Sequence, residues 1–245
     1  VTGTKNIVDM CATKQVKKLV YVSSTGAILE APHGQVIREP EVFFPDQVVG
    51  YYAKTKAIAT QYVLEAVRGK DLDASIIYPS GISGPDDSAF GPFTSFVIRY
   101  CQEQMPVGVE GSFNAVDVRD LADGVIACTE QGRKGEGYIL SNEMVAMRRM
   151  FDLISEASGA KRVETILTPE QMQAMPQHRF AQSEGGANLE ALKFEIYNLT
   201  RNNQFSSEKA RQELDFRTRP FQETIADTVE WLRSEGKLTI ASPNK

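Results

Sequence analysis

The chain has 245 residues, 42% of them hydrophobic and 24% charged, with 27 basic against 32 acidic side chains and a formal net charge of −5. That length and balance exclude a disordered, collagen-like or disulfide-scaffold chain and leave one large domain or two small ones. They give no electrostatic case for nucleic acid, and no apolar run approaches the ~20 residues needed to span a bilayer.

Residues 4–14 carry Ile7, Val8, Met10 and Cys11 at near-helical spacing, which predicts a helix already under way at residue 1. Lys18–Val22 is a compact β-branched and aromatic run, a buried strand ending in Ser23-Ser24-Thr25-Gly26. A polar loop punctuated by Pro32, Gly34, Pro40 and Pro45 leads to a long helix from Tyr51 to Arg68, closed by Gly69. Ala74–Tyr78 is a second strand, stopped by Pro79-Ser-Gly81. Beyond it the pattern predicts a helix over Phe93–Gln104, a strand over Phe113–Val118, a helix over Asp120–Glu130 and a strand over Gly137–Ser141. The remainder reads as helical, over 145–158, 169–175, 206–214 and 219–234, the last placing Phe221, Ile225, Val229 and Leu232 on one face. Strand, helix and strand of similar character in succession predict βαβ units and a parallel sheet.

Three scattered cysteines, Cys11, Cys101 and Cys128, form no C-x-x-C pair and suit a reduced, cytoplasmic compartment. The N-terminus lacks the basic-then-apolar plan of a signal peptide. The short basic runs at Lys14–Lys18 and Arg148–Arg149 read as solvated faces. No H-E-x-x-H, Walker or EF-hand motif is present, so no metal is expected. The two histidines, His33 and His178, read as surface or loop residues.

What remains is Ser23-Ser24-Thr25 at one strand end, Tyr52-Ala-Lys-Thr-Lys56 on the following helix, and Tyr78-Pro-Ser-Gly-Ile82 at the next strand end. Taken singly, each has a bland reading: a turn, an exposed Tyr–Lys pair, a strand stop. Order changes the weighing, because ligands of open parallel sheets sit beyond the carboxyl ends of the strands. A lysine four residues after a tyrosine stands about 6 Å along the helix axis. At an effective dielectric of ~20, its charge favours phenolate by roughly 3 kcal/mol, which suits proton transfer. Ser24 would supply a neutral hydrogen bond to a carbonyl or hydroxyl oxygen.

These stretches resemble the extended short-chain dehydrogenase/reductases, which include NAD-dependent epimerases, dehydratases and dihydroflavonol reductase-like enzymes. Thr2-Gly-Thr-Lys-Asn6 resembles the family's N-V-x-G-T-x-N helix start, and Val20–Thr25 its active-site serine strand. Tyr52–Ala57 resembles its Y-x-x-[ST]-K-A helix, and Ile76–Pro85 its [IL]-[IL]-R-P-x-x-[VI]-[YF]-G-P segment. Asn114–Ala122 resembles its V-x-V-x-D-[VL]-A segment, and Phe205 through Trp231 its C-terminal helices. The resemblance implies a doubly wound Rossmann-type α/β fold. Residues 1–82 and 112–142 would belong to the dinucleotide-binding domain, and 83–111 and 143–245 to a smaller, mainly helical substrate lobe.

The resemblance further implies Ser24, Tyr52 and Lys56 as the catalytic triad, with NAD or NADP as cofactor. Tyr52 and Lys56, the segment Pro79, Ser80, Gly81 and Ile82, and Val22 with Ser23 would border the nicotinamide end. The helices at 1–14 and 51–69 would build a homodimer. The reaction expected is hydride transfer between nicotinamide and a carbonyl or secondary alcohol; the alternatives are a sugar-nucleotide epimerase or dehydratase, or a non-catalytic fragment of such an enzyme.

Departures from the pattern shape further expectations. The G-x-x-G-x-x-G fingerprint is absent from these residues, so the chain reads as a C-terminal fragment with on the order of 80 residues upstream. Such a fragment alone should be inactive and bind dinucleotide poorly. Tyr78 stands where the family usually has Arg, which puts in doubt a phosphate- or sugar-binding role there. Phe90, Phe93 and Phe96 would either pack a short helix or line an apolar substrate site, the first being the simpler reading. With the missing Arg, they favour an apolar carbonyl compound over a nucleotide-sugar.

Overall fold

The computed structural model describes residues 1–174 and 189–238. Its helices are α1 (Thr2–Thr13), α2 (Tyr51–Gly69), α3 (Pro92–Cys101), α4 (Val118–Gln131), α5 (Met147–Ser158), α6 (Pro169–Gln173), α7 (Leu189–Thr200), α8 (Glu208–Leu214) and α9 (Phe221–Ser234). Its strands are β1 (Leu19–Val22), β2 (Ala74–Pro79), β3 (Gly81–Ser83), β4 (Gly108–Val109), β5 (Ser112–Asp117), β6 (Gly137–Leu140), β7 (Met144–Ala146) and β8 (Ile166–Leu167). Two units divide the chain: Val1–Ile82 with Asn114–Glu143 and Gln204–Arg219, and Ser83–Phe113 with Met144–Asn203 and Pro220–Lys245.

The first unit is built on a parallel sheet of order β1-β2-β6, with Tyr21 opposite Ile76 and Tyr78 opposite Ile139. Strand side chains alternate between faces, and the apolar residues obey that alternation on both. Leu19, Tyr21, Ile76, Tyr78 and Ile139 pack with Val8 of α1 and Ala57, Val63 and Ala66 of α2. On the opposite face Val20, Ile77, Tyr138 and Leu140 pack with Leu121 and Cys128 of α4 and Ala210 and Leu214 of α8. A sheet covered on both faces explains why β2, Ala-Ser-Ile-Ile-Tyr-Pro, is buried at every residue. Gly137 is demanded by close approach: a Cβ there would stand 2.3 Å from the Tyr78 ring.

Among the ion pairs of this unit, two sets flank α4 and α8. At the start of α4 the Asp117 carboxylate accepts from the Arg119 N–H, and Asp120 accepts from the Arg219 N–H and guanidinium at 2.8–2.9 Å. The V-x-D-L-A stretch is therefore a clamp that ties α4 to the segment after α8. Beside α8, Arg133 grips Glu213 through two hydrogen bonds of 2.6 and 2.9 Å. Tyr138 donates to the same carboxylate at 2.9 Å, and burial pushes its phenol up to about 12.

The second unit is held by helices and rings. Along α9, Phe221, Ile225, Val229 and Leu232 are all at most 1% exposed, the face that the spacing predicts. Phe151 of α5 stacks on Tyr100 at 5.2 Å and on Phe96 at 6.0 Å between centroids. β4 and β8 form a two-residue parallel pair.

Several elements depart from the sequence-based expectation. α3 ends at Cys101, three residues short of Gln104, because Glu103 takes a left-handed φ of 57° that a helix does not continue through. Residues 144–146 are extended and the helix begins at Met147, whose N–H bonds the Gly111 carbonyl. α7 and the short strands β3, β4, β7 and β8 were not legible. α6 was, because Thr168 and Gln171 make a capping box around Pro169. His33 is exposed in its loop, and His178 lies outside the described residues.

Candidate active site

Helical geometry alone decides which lysine can serve Tyr52. Lys54, two residues on, projects away and pairs with Asp46 at 2.6 Å. Lys56, four residues on, returns to the tyrosine's face, with its Nζ 5.9 Å from the Tyr52 ring centroid and 5.8 Å from that of Tyr21. Its ammonium donates to the Val22 carbonyl at 3.0 Å, which anchors α2 to the carboxyl end of β1. Burial holds the Lys56 ammonium below its ordinary pKa. Tyr52 itself is 56% exposed, so a ligand can reach its ring and hydroxyl.

The two serines after β1 part company. Ser23 is buried and its hydroxyl pairs with that of Thr60 on α2 at 2.7 Å, so its side chain is committed to holding the helix against the sheet. A role for Ser23 at a ligand would pass through its backbone. Ser24 caps a short 3-10 turn over Thr25–Ala27, its Oγ accepting the Gly26 N–H at 3.0 Å. That bond uses a lone pair and leaves the hydroxyl proton to donate elsewhere. A Cβ at Gly26 would lie 3.3 Å from Ser24 Oγ and 3.8 Å from Tyr52 Cε1. The serine and the tyrosine ring therefore flank one small gap, which any side chain at residue 26 would fill.

Thr25 was named in the Ser-Ser-Thr stretch but given no role by sequence reasoning. The β1–β2 ladder runs through Leu19 N to the Asp73 carbonyl and Ser23 N to the Ile77 carbonyl. Its next alternate rung would join residue 25 to Pro79, but there the backbone has already turned into the 3-10 helix. The Thr25 hydroxyl takes that rung instead, donating to the Pro79 carbonyl at 3.2 Å. A hydroxyl residue three positions past a strand end was the available signal.

The other predicted positions fall at this rim. Val22 is 39% and Ile82 48% exposed, while Pro79 and Ser80 are buried and Gly81 is half-buried. Tyr78 is a core residue, 1% exposed and 5.9 Å from the Phe43 ring, and burial pushes its phenol well above the ordinary range. It packs in the cluster on the α2 face of the sheet. The phenylalanines of the second unit stack on partners there: Phe90 on Trp231, Phe93 on Phe113 and Phe221, and Phe96 on Phe151. Packing accounts for them, so they no longer speak for an apolar substrate. Among the described residues no group of three His, Cys, Asp or Glu side chains is placed to hold a metal ion.

The family model described as the 3-beta hydroxysteroid dehydrogenase/isomerase family matches residues 1–131. A putative dihydroflavonol 4-reductase of Synechocystis is 26% identical over 249 residues, covering 96% of this chain and 70% of that protein. The crystal structure of gox2253 superimposes with a TM-score of 0.82 at 30% identity, over 97% of this chain and 72% of that one. DesIV, a dTDP-glucose 4,6-dehydratase from Streptomyces venezuelae solved with NAD and TYD bound, shares the fold at 18% identity with a TM-score of 0.73, over 97% and 67% of the two chains.

Proposed function

Since the chain belongs to the 3-beta hydroxysteroid dehydrogenase/isomerase family, we propose that it serves an NAD(P)-dependent oxidoreductase acting on a carbonyl or secondary alcohol. The observation that carries this reading is that Ser24 and Tyr52 flank the gap beside Gly26, with the Lys56 ammonium 5.9 Å from the Tyr52 ring centroid. Ser24 donates its free proton to the substrate oxygen, and Tyr52 exchanges a proton with the same oxygen. The Lys56 charge, fixed by Val22, stabilises negative charge developing on the Tyr52 oxygen. NAD(P), when bound, supplies or accepts the hydride. Val22, the Ser23 backbone and Pro79, Ser80, Gly81 and Ile82 would border its nicotinamide end, and the half-buried Lys56 ammonium can reach ribose hydroxyls. The exposed Ile82 and Val22 side chains suit a flat ring laid across the strand ends.

A panel of ketones with NADH or NADPH tests the reading. Net cofactor oxidation that falls about 10²–10⁴-fold in Tyr52→Phe, with dinucleotide affinity unchanged, is the expected result. Turnover that persists in Tyr52→Phe would refute the assignment. Substrate conversion without net cofactor use would select the sugar-nucleotide epimerase or dehydratase reading. Because these residues include no G-x-x-G-x-x-G fingerprint, the 245-residue chain by itself should be inactive and bind dinucleotide weakly; micromolar affinity in a titration would overturn that. The assays therefore belong to a chain that carries such a motif.

Ile7 and Met10 of α1 are 60% and 54% exposed, an apolar stripe that fits pairing of α1 and α2 with a second copy. A monomeric mass by light scattering would exclude it. No helix among the described residues is long and apolar enough to cross a membrane. The three free thiols suit a reducing, cytoplasmic compartment, which tagging the protein in cells would test.

A further inference from the structure

At the carboxyl ends of β2 and β6 two serine hydroxyls are buried without a hydrogen-bond partner. Ser80 is 8% exposed and Ser141 is fully buried, and neither Oγ finds a donor or acceptor. The strands are still in register here: Pro79 stands opposite Leu140, and the Ser80 N–H bonds the Leu140 carbonyl at 3.1 Å. Ser80 lies two residues beyond Tyr78 and Ser141 two beyond Ile139, so alternation returns both hydroxyls to the face of Tyr78 and Ile139. Ala27 and Ile28 belong to the apolar cluster on that face.

The two hydroxyls do not bond each other, since neither has a hydrogen-bond partner in the protein. One atom between them can reach both, since two ordinary hydrogen bonds span up to about 5.6 Å. A buried hydroxyl left without a partner is destabilising, and a single group that donates and accepts relieves both.

We propose that Ser80 and Ser141 hold one buried water between them, and that this water is a final rung of the β2–β6 pairing. It ties the segment Pro79–Ile82 to β6 on one side, as the Thr25 hydroxyl ties it to the β1 turn on the other. The site requires no ligand and stands whether or not the catalytic reading does.

A double-mutant cycle tests it. Ser80→Ala and Ser141→Ala should each lower the folding equilibrium constant about tenfold in denaturant titrations, because each strands the other hydroxyl. The double variant should lose no more than either single one, since the stranded group is then gone. Singles as stable as the parent, or losses that simply multiply, would overturn the proposal. Oxygen-17 relaxation dispersion of solvent gives a reading independent of stability. The parent should hold one more long-lived water than Ser141→Ala; equal counts would overturn the proposal.

Discussion

The sheet unit and the helical unit are held by different forces, and the difference shows where chemistry can be placed. In the sheet unit, ladder bonds and hydroxyl pairs fix polar side chains at the strand ends: Ser23 on Thr60, Thr25 on the Pro79 carbonyl, Lys56 on the Val22 carbonyl. In the helical unit, cohesion comes from stacked rings, and a buried polar contact, Tyr100 with Ser155, links two helices. Directional bonds hold a reactive group to a fraction of an ångström, whereas ring stacking mainly supplies stability. The reactive trio accordingly belongs entirely to the sheet unit.

Three substitutions sharpen that contrast. The largest effect belongs to Phe151→Ala, which removes the ring sandwiched between Phe96 and Tyr100 at 2% exposure and should cost about 3–5 kcal/mol by denaturant titration. A loss below about 1 kcal/mol would show that stacking is not what holds the helices. Thr25→Val keeps the shape and removes the side-chain rung. It should cost only about 1 kcal/mol, yet it should lower kcat more than it raises KM, with Thr25→Ser restoring both. Equal loss in stability and rate would reduce Thr25 to a packing residue.

The smallest effect is electrostatic. Arg133 holds the Glu213 carboxyl below the usual carboxylate range. Its stabilisation is complete above the ordinary glutamate pKa of about 4.3 and is lost as the pH falls through the lower folded value. Glu213→Gln should flatten that acid limb by lowering the neutral plateau slightly, with little change at the acid end; an unchanged limb would assign the acid sensitivity to other carboxylates.

Much of the sheet unit was legible from the residues. The runs Leu-Val-Tyr-Val and Ala-Ser-Ile-Ile-Tyr are too short and β-branched for helices, and the long alanine-rich stretch between them is a helix by length. Tyr52 and Lys56 were legible as partners because four residues on a helix is a local relation. Their companion Lys54 shows how much the spacing matters, since it is occupied by Asp46. That Tyr78 belongs to the core was not legible, because motif order says nothing about which face a side chain takes. Alternation from Ile76 turns it inward, under Gly137. The phenylalanines were ambiguous for the same reason: their partners Phe113, Phe151, Phe221 and Trp231 are distant in sequence.

From the sequence alone came the parallel α/β plan and the helix that carries Tyr52 and Lys56, because hydrophobic period and helical spacing are properties of neighbouring residues. Only the tertiary structure decided that Thr25 completes a ladder rung to a residue 54 positions away, and that the Ser80 and Ser141 hydroxyls are buried without a protein partner just past the paired ends of β2 and β6. Hydrogen bonds between strands depend on register, and register is set by the packing of both sheet faces at once.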